Sequence, residues 1–201
     1  HVDSCLGGLF LPFIEALGYE VPPFDFRVRG VTSISADIHK YGYSAKGASV
    51  ILYSTHELRR SQYFVINSWP GGLYASPTML GTRSGAPIAG AWAALKTYGH
   101  DGYQRMAARV MNSTQKMKEG IESLPGLKVI GNPVMSVFSF ASDRHDIYRL
   151  GDELAKRGWS LDKLQFPPAL HITVSSINTG HETEFLDSLK ESLAVVEGRK
   201  I

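Results

Sequence analysis

Apolar and polar positions change period several times along the chain, and each change predicts an element. Residues 30–36 (Gly-Val-Thr-Ser-Ile-Ser-Ala) and 48–53 (Ala-Ser-Val-Ile-Leu-Tyr) are short runs rich in β-branched side chains, which predict two strands. The stretch between them is dense in Gly, Lys and Tyr and reads as a functional loop. Residues 61–83 are rich in Gly, Pro, Ser and Asn and predict a long loop. It feeds a helix over 84–98, where Ser84 can cap and Ala89, Trp92, Ala93 and Leu95 recur at helical spacing. A second helix is predicted over 102–124 from Met106, Val110, Met117, Ile121 and Leu124, stopped by Pro125-Gly126. Beyond it, strands are predicted at 127–130, 134–141 and 170–175, with helices at 146–157 and 182–196. Alternating strands and helices favour an α/β architecture. The change of texture near residue 100 divides the chain into a first domain, 1–100, and a smaller α+β domain, 101–201. Residues 1–3 read as the end of a buried strand, so a longer polypeptide is expected to precede them.

Composition narrows the function classes. At 201 residues and 43% hydrophobic content the chain can bury a sizeable core, and its formal net charge of +2 provides no field for nucleic acid or an anionic membrane surface. The longest apolar stretch, 6–17, is interrupted by Gly7, Gly8, Pro12 and Glu15, which argues against a membrane span. A single cysteine, Cys5, excludes an internal disulfide and a cysteine-based zinc cage and suggests a reducing compartment. The seven histidines are scattered without metal-ligand spacing, so no metal site is expected.

Three stretches carry candidate chemistry. In Ser33-Ile-Ser-Ala-Asp-Ile-His39-Lys40-Tyr-Gly-Tyr-Ser-Ala-Lys46-Gly47, a lysine lies just past a strand with a histidine beside it and another lysine six residues on. Desolvation and like charge there would depress the amine pKa and free the neutral nucleophile that imine formation requires. In His1-Val-Asp3-Ser-Cys5-Leu-Gly-Gly8, a carboxylate at a strand end is followed by small residues, and it could keep a pyridine nitrogen protonated. Between Trp69 and Gly85, the Gly71-Gly72 pair, Ser76, Thr78, Thr82 and Arg83 offer backbone N–H groups, hydroxyls and a guanidinium suited to a phosphate. Taken singly, these stretches read better as a surface loop, a turn or helix-cap residue and a connecting loop. It is the combination of Asp3 with Lys40 that points to chemistry.

Together the residues resemble the group II pyridoxal-dependent decarboxylase family, over nearly the whole chain. The carriers are His1-Val-Asp3-Ser-Cys5-Leu-Gly-Gly8, Pro23-Phe-Asp-Phe-Arg27-Val, Val31-Thr-Ser-Ile-Ser-Ala-Asp-Ile-His39-Lys40-Tyr-Gly-Tyr, Gly71-Gly-Leu-Tyr-Ala-Ser76-Pro-Thr and Gly158-Trp-Ser-Leu-Asp-Lys-Leu-Gln-Phe-Pro-Pro168-Ala-Leu-His171. The second and last look particular to the branch that cleaves phosphorylated long-chain bases. The resemblance implies the α/β fold-type I of pyridoxal-phosphate-dependent transferases, here the second half of the large mixed-sheet domain plus the small C-terminal domain. It implies pyridoxal 5'-phosphate as cofactor, Lys40 as its Schiff-base lysine, Asp3 at the pyridine nitrogen, Cys5 near the ring and His39 at the phosphate. Lys46 would assist with substrate phosphate or protons, and Gly71, Gly72 and Ser76 would reach the partner's cofactor phosphate across a homodimer interface. The implied reaction is retro-aldol cleavage of a phosphorylated sphingoid base to a long-chain aldehyde and phosphoethanolamine. The alternatives are an amino-acid decarboxylase of the same family and a non-catalytic dimerisation module. The family's preceding half supplies a ring-stacking histidine, another phosphate loop and, in eukaryotes, a membrane anchor at the endoplasmic reticulum; a bacterial relative would be cytoplasmic.

Overall fold

A computed structural model describes residues 1–198, and the chain divides into two compact units. Unit 1 comprises His1–Glu15 and Glu20–Tyr103; unit 2 comprises Ala16–Tyr19 and the chain from Gln104 onward.

Unit 1 is built on a three-stranded mixed sheet. Strand β1 (Val2–Asp3) runs parallel to β2 (Ser33–Asp37), with Asp3 opposite Ser35. β2 runs antiparallel to β3 (Ser49–Tyr53), with Asp37 opposite Ser49. The period of two along β2 puts Ile34 and Ala36 on a buried face and Ser33, Ser35 and Asp37 on the other. That polar face is shared by His1 and Asp3 from the neighbouring strand, because parallel pairing keeps side chains in step. After β1 come a short 3-10 turn, Gly7–Leu9, capped by the buried Phe10, and helix α1 (Leu11–Ala16), which buries Ile14. Arg27 forks onto Glu15 at 2.8 and 3.1 Å and bonds Asp25, tying the Phe-Asp-Phe-Arg segment to α1.

Between β3 and α3 the chain differs from the sequence expectation. Thr55 caps a short helix α2 (His56–Arg60) by accepting from the Leu58 N–H. The stretch expected to be a long loop holds an antiparallel hairpin of β4 (Phe64–Ile66) and β5 (Tyr74–Ser76). Its strands span three residues each, too few for alternation to register against the surrounding Gly and Pro. The two helices expected over 84–98 and 102–124 are both present within α3 (Gly85–Glu122), which consists of two helices meeting at Gly99, where φ 56° and ψ −176° leave the helical region.

Unit 2 carries a four-stranded antiparallel sheet in the order β6 (Leu127–Val129), β7 (Val137–Ser142), β9 (Pro168–Thr173), β8 (Asp162–Gln165). Helix α4 (Ile147–Lys156) begins at Asp146, whose carboxylate accepts from the Tyr148 and Arg149 N–H groups, and α5 (Glu182–Val196) closes the described chain. The core gathers Phe138, Phe140, Leu150, Leu154, Leu170, Val174, Phe185 and Leu189, all nearly inaccessible. β8 escaped the sequence reading because Asp-Lys-Leu-Gln carries one apolar residue. Among the described residues no helix is long and apolar enough to cross a membrane.

Candidate active site

The C-terminal ends of β1 and β2 bring the candidate residues together. Asp3 is the last residue of β1, and its Oδ1 accepts from the Cys5 backbone N–H at 3.0 Å and the Ser35 hydroxyl at 3.1 Å. The Cys5 N–H, then the Ser35 hydroxyl, hold the Asp3 carboxyl below the usual carboxylate range, and the nearby charge of Lys40 adds to this. A hydroxyl has one proton, and Ser35 gives its proton to Asp3. His1 Nε2, 3.3 Å from Ser35 Oγ, therefore donates there, and His1 Nδ1 lies 2.9 Å from Ser33 Oγ. Asp3 is thus an ionised, oriented carboxylate.

Past β2 the backbone turns sharply: the Lys40 N–H donates to the Asp37 carbonyl, and the Asp37 N–H donates to the Cys5 carbonyl, locking the two strand ends to each other. The turn folds the Lys40 side chain back, and Nζ lies 2.9 Å from Asp37 Oδ2. His39 Nδ1–H donates to the Ala48 carbonyl at 2.9 Å, leaving Nε2 3.8 Å from the same Asp37 oxygen. Gly42 permits the continuation of this loop, since a Cβ there would stand 2.4 Å from the Ile38 carbonyl oxygen. The buried Tyr103 hydroxyl donates to the Gly42 carbonyl at 2.7 Å and anchors the loop from α3.

The electrostatics of Lys40 run opposite to the expected depression. Its pKa is pushed up to about 12, first by a hydrogen bond with Cys5 and next by Asp37. The side chain remains one-third exposed, so desolvation is too weak to overcome these partners. Lys46 is exposed on the same loop.

The phosphate-type residues lie on a different part of unit 1. Gly71 and Gly72 form the hairpin turn between β4 and β5, closed by Gly72 N–H to the Trp69 carbonyl, with Gly72 at φ 84°. Ser76 ends β5, buried, and its hydroxyl proton is given to the Thr78 carbonyl at 2.6 Å. No hydrogen bond or ion pair among the described residues joins these three to Asp3 or Lys40. Phe64, Val65, Leu73, Met79 and Leu80 around the hairpin are exposed. Arg83 lines a separate, mainly apolar cavity of about 370 Å³ with Ala48, Ser49, Pro87, Ile88 and Trp92. No group of three His, Cys, Asp or Glu side chains that could hold a metal occurs among the described residues.

Structure thus brings Asp3, Cys5, His39 and Lys40 together and adds two residues that sequence reasoning did not single out. Asp37, three before the candidate amine, had a legible signal in that i, i+3 spacing. Tyr103, sixty-one residues from Gly42, had none.

No family model matches the chain. It is similar over 98% of its length to a sphingosine-1-phosphate lyase of Oryza sativa subsp. japonica (50% identity) and to one of Dictyostelium discoideum (47% identity). It covers 36% and 37% of those relatives, so it spans about a third of their length. Among solved structures, a sphingosine-1-phosphate lyase of Burkholderia pseudomallei superposes with a TM-score of 0.94 at 44% identity, covering 98% of this chain and 46% of that one. A glutamate decarboxylase of Lactobacillus brevis superposes with a TM-score of 0.82 at 22% identity, covering 100% and 48%. The fold is therefore about half of the one these enzymes share.

Proposed function

We propose that the chain is the lysine-bearing part of a pyridoxal-phosphate-dependent lyase that cleaves phosphorylated long-chain bases. The observation that carries this reading is geometric: Asp3 ends β1, Lys40 follows the turn at the end of the adjacent parallel strand β2, and the Asp37 N–H to Cys5 carbonyl bond ties the two ends together. Similarity to sphingosine-1-phosphate lyases along nearly the entire chain supports the substrate class.

The residues present fit the cofactor. The Cys5 N–H and the Ser35 hydroxyl both bond Oδ1, and Oδ2 is the oxygen that would accept from a protonated pyridine nitrogen. Lys40 Nζ would bind the aldehyde carbon covalently, His39 would face the phosphate, and Cys5 would lie against the ring. When bound, pyridoxal 5'-phosphate supplies an electron sink for the pair released as a carbon–carbon bond breaks. Asp3 keeps that sink effective by holding a positive charge at the ring nitrogen. Lys40 Nζ, once freed by the substrate amine, and Lys46 Nζ are the amines available on this loop to move the hydroxyl proton and to meet the substrate phosphate. Gly71, Gly72 and Ser76 would reach the phosphate of a second subunit, a reading supported by the exposed apolar side chains around their hairpin. For that role the Ser76 hydroxyl must turn away from Thr78.

The test uses the full-length protein that contains this chain. Borohydride should fix the cofactor on the Lys40 peptide, read by mass, and Lys40→Ala should abolish both the fixation and aldehyde release from a phosphorylated long-chain base. Fixation elsewhere in Lys40→Ala, or wild-type turnover of free amino acids alone, overturns the proposal.

A further inference from the structure

Asp37 has no part in the assignments above, yet the Lys40 amine rests on it. Its Oδ2 is 2.9 Å from Lys40 Nζ, and the Ser49 hydroxyl donates to Oδ1 at 2.5 Å. Ser49 is the register partner of Asp37 across β2 and β3, so the sheet itself orients the carboxylate. The turn that returns the Lys40 N–H to the Asp37 carbonyl brings the lysine side chain back over it. The Asp37 side chain is about one-fifth exposed, partly withdrawn from the screening that makes surface pairs weak.

We propose that Asp37 is a positioning residue that holds the Lys40 amine as an ammonium whenever it is not covalently engaged, and so sets the pH at which the protein captures and releases a carbonyl. The proposal rests on Lys40 being the cofactor lysine. Capture requires the ammonium to lose a proton to solvent; Nζ then bonds the aldehyde carbon, and the carbonyl oxygen leaves as water. The ion pair with Asp37 opposes the first of these events. On release, a substrate amine takes over the carbon, the bond to Nζ breaks, and Nζ gains the two protons that the substrate amine gives up and a third from solvent, beside a carboxylate already in place. The same pair therefore favours release.

The groups that face Lys40 are Cys5 from the turn after β1, Asp37 at the end of β2 and, through charge, Asp3; His39 approaches the same oxygen of Asp37. Cys5 raises Lys40 most, but a thiol carries charge only when ionised. Asp37 is held below the usual carboxylate range by Ser49 and then by Lys40, so it is charged throughout the neutral range.

The experiment titrates the cofactor-free full-length protein with pyridoxal 5'-phosphate from about pH 6 to about pH 10, reading absorbance and borohydride fixation on the Lys40 peptide. Asp37→Asn should lower the midpoint pH of capture by about one unit, which means about tenfold faster capture below the midpoint. Asp37→Glu should restore the wild-type midpoint, and Ser49→Ala should shift it in the same direction by less. A purely structural role would alter the melt and leave the midpoint where it is, and that result overturns the proposal. If Asp37→Asn does not fold, Ser49→Ala decides: an unmoved midpoint overturns the proposal. A wild type that fixes nothing on Lys40 defeats the cofactor assignment itself, whereas a wild type that does, beside an unshifted Asp37→Asn, defeats only the role of Asp37.

Discussion

Along β7 and β9 of unit 2 the apolar positions are covered: Phe138, Phe140, Leu170 and Ile172 are buried, as are Leu150 and Leu154 of α4 and Phe185 and Leu189 of α5. Along β2 and β3 of unit 1 the cover is one-sided in a different sense. Ile34 and Ala36 are buried, but Val50, Ile51 and Leu52 on the neighbouring strand are exposed, and so are the apolar side chains of the β4–β5 hairpin. Most of the exposed large hydrophobics among the described residues lie in unit 1. The contrast teaches where each kind of residue lies: unit 2 holds a complete core, and unit 1 carries Asp3, Asp37 and Lys40 beside uncovered apolar surface.

Three changes would break or sharpen that contrast. The largest effect is expected from Phe140→Ala, which removes a fully buried ring from the unit 2 core and should cost about 3–5 kcal/mol, read by thermal or denaturant unfolding. A loss under about 1 kcal/mol would mean that the unit 2 core is loosely packed. Asp3→Asn, in unit 1, should leave the melt nearly unchanged and keep cofactor on Lys40 while turnover falls by about a hundredfold. Undiminished turnover would place the ring-nitrogen partner elsewhere. The smallest effect concerns acid. Glu182 accepts from Ser113 Oγ and from the Gly180 N–H, and the Ser113 bond foremost lowers its pKa to about 2 from an ordinary 4.5. A depressed carboxyl stabilises fully above its unfolded value, and the contribution fades as pH falls from about 4.5 toward about 2. Glu182→Gln should therefore lower the melting temperature at neutral pH and flatten its decline over that acid window. Parallel declines in the two proteins would show that the Ser113 contact is not formed in solution.

The elements with a strong period were legible in the sequence. Residues 182–196 form α5 with the expected bounds, and the 146–157 pattern forms α4 with Asp146 as its cap. The hairpin of β4 and β5, the polar strand β8 and the short helices α1 and α2 were not legible, because three to six residues cannot establish a period and their conformation is set by what they pair with. For the site, residue types at Asp3, His39 and Lys40 suggested an amine and its electron-sink partner, but the expected depression of Lys40 had the wrong sign. Burial was inferred from an adjoining apolar strand, whereas the turn after Asp37 brings the amine back onto a carboxylate.

By itself, then, the order of residues determined the α/β alternation, the identity of the candidate nucleophile and the likeness to a family, since periodicity and side-chain chemistry are local properties. Only the tertiary structure decided that Asp3 and Ser35 share a face, that Ser49 aims Asp37 at Lys40, and that Tyr103 clamps the loop at Gly42. Those outcomes depend on strand register and chain return, and charges act through distance in space, which spacing along the chain does not encode.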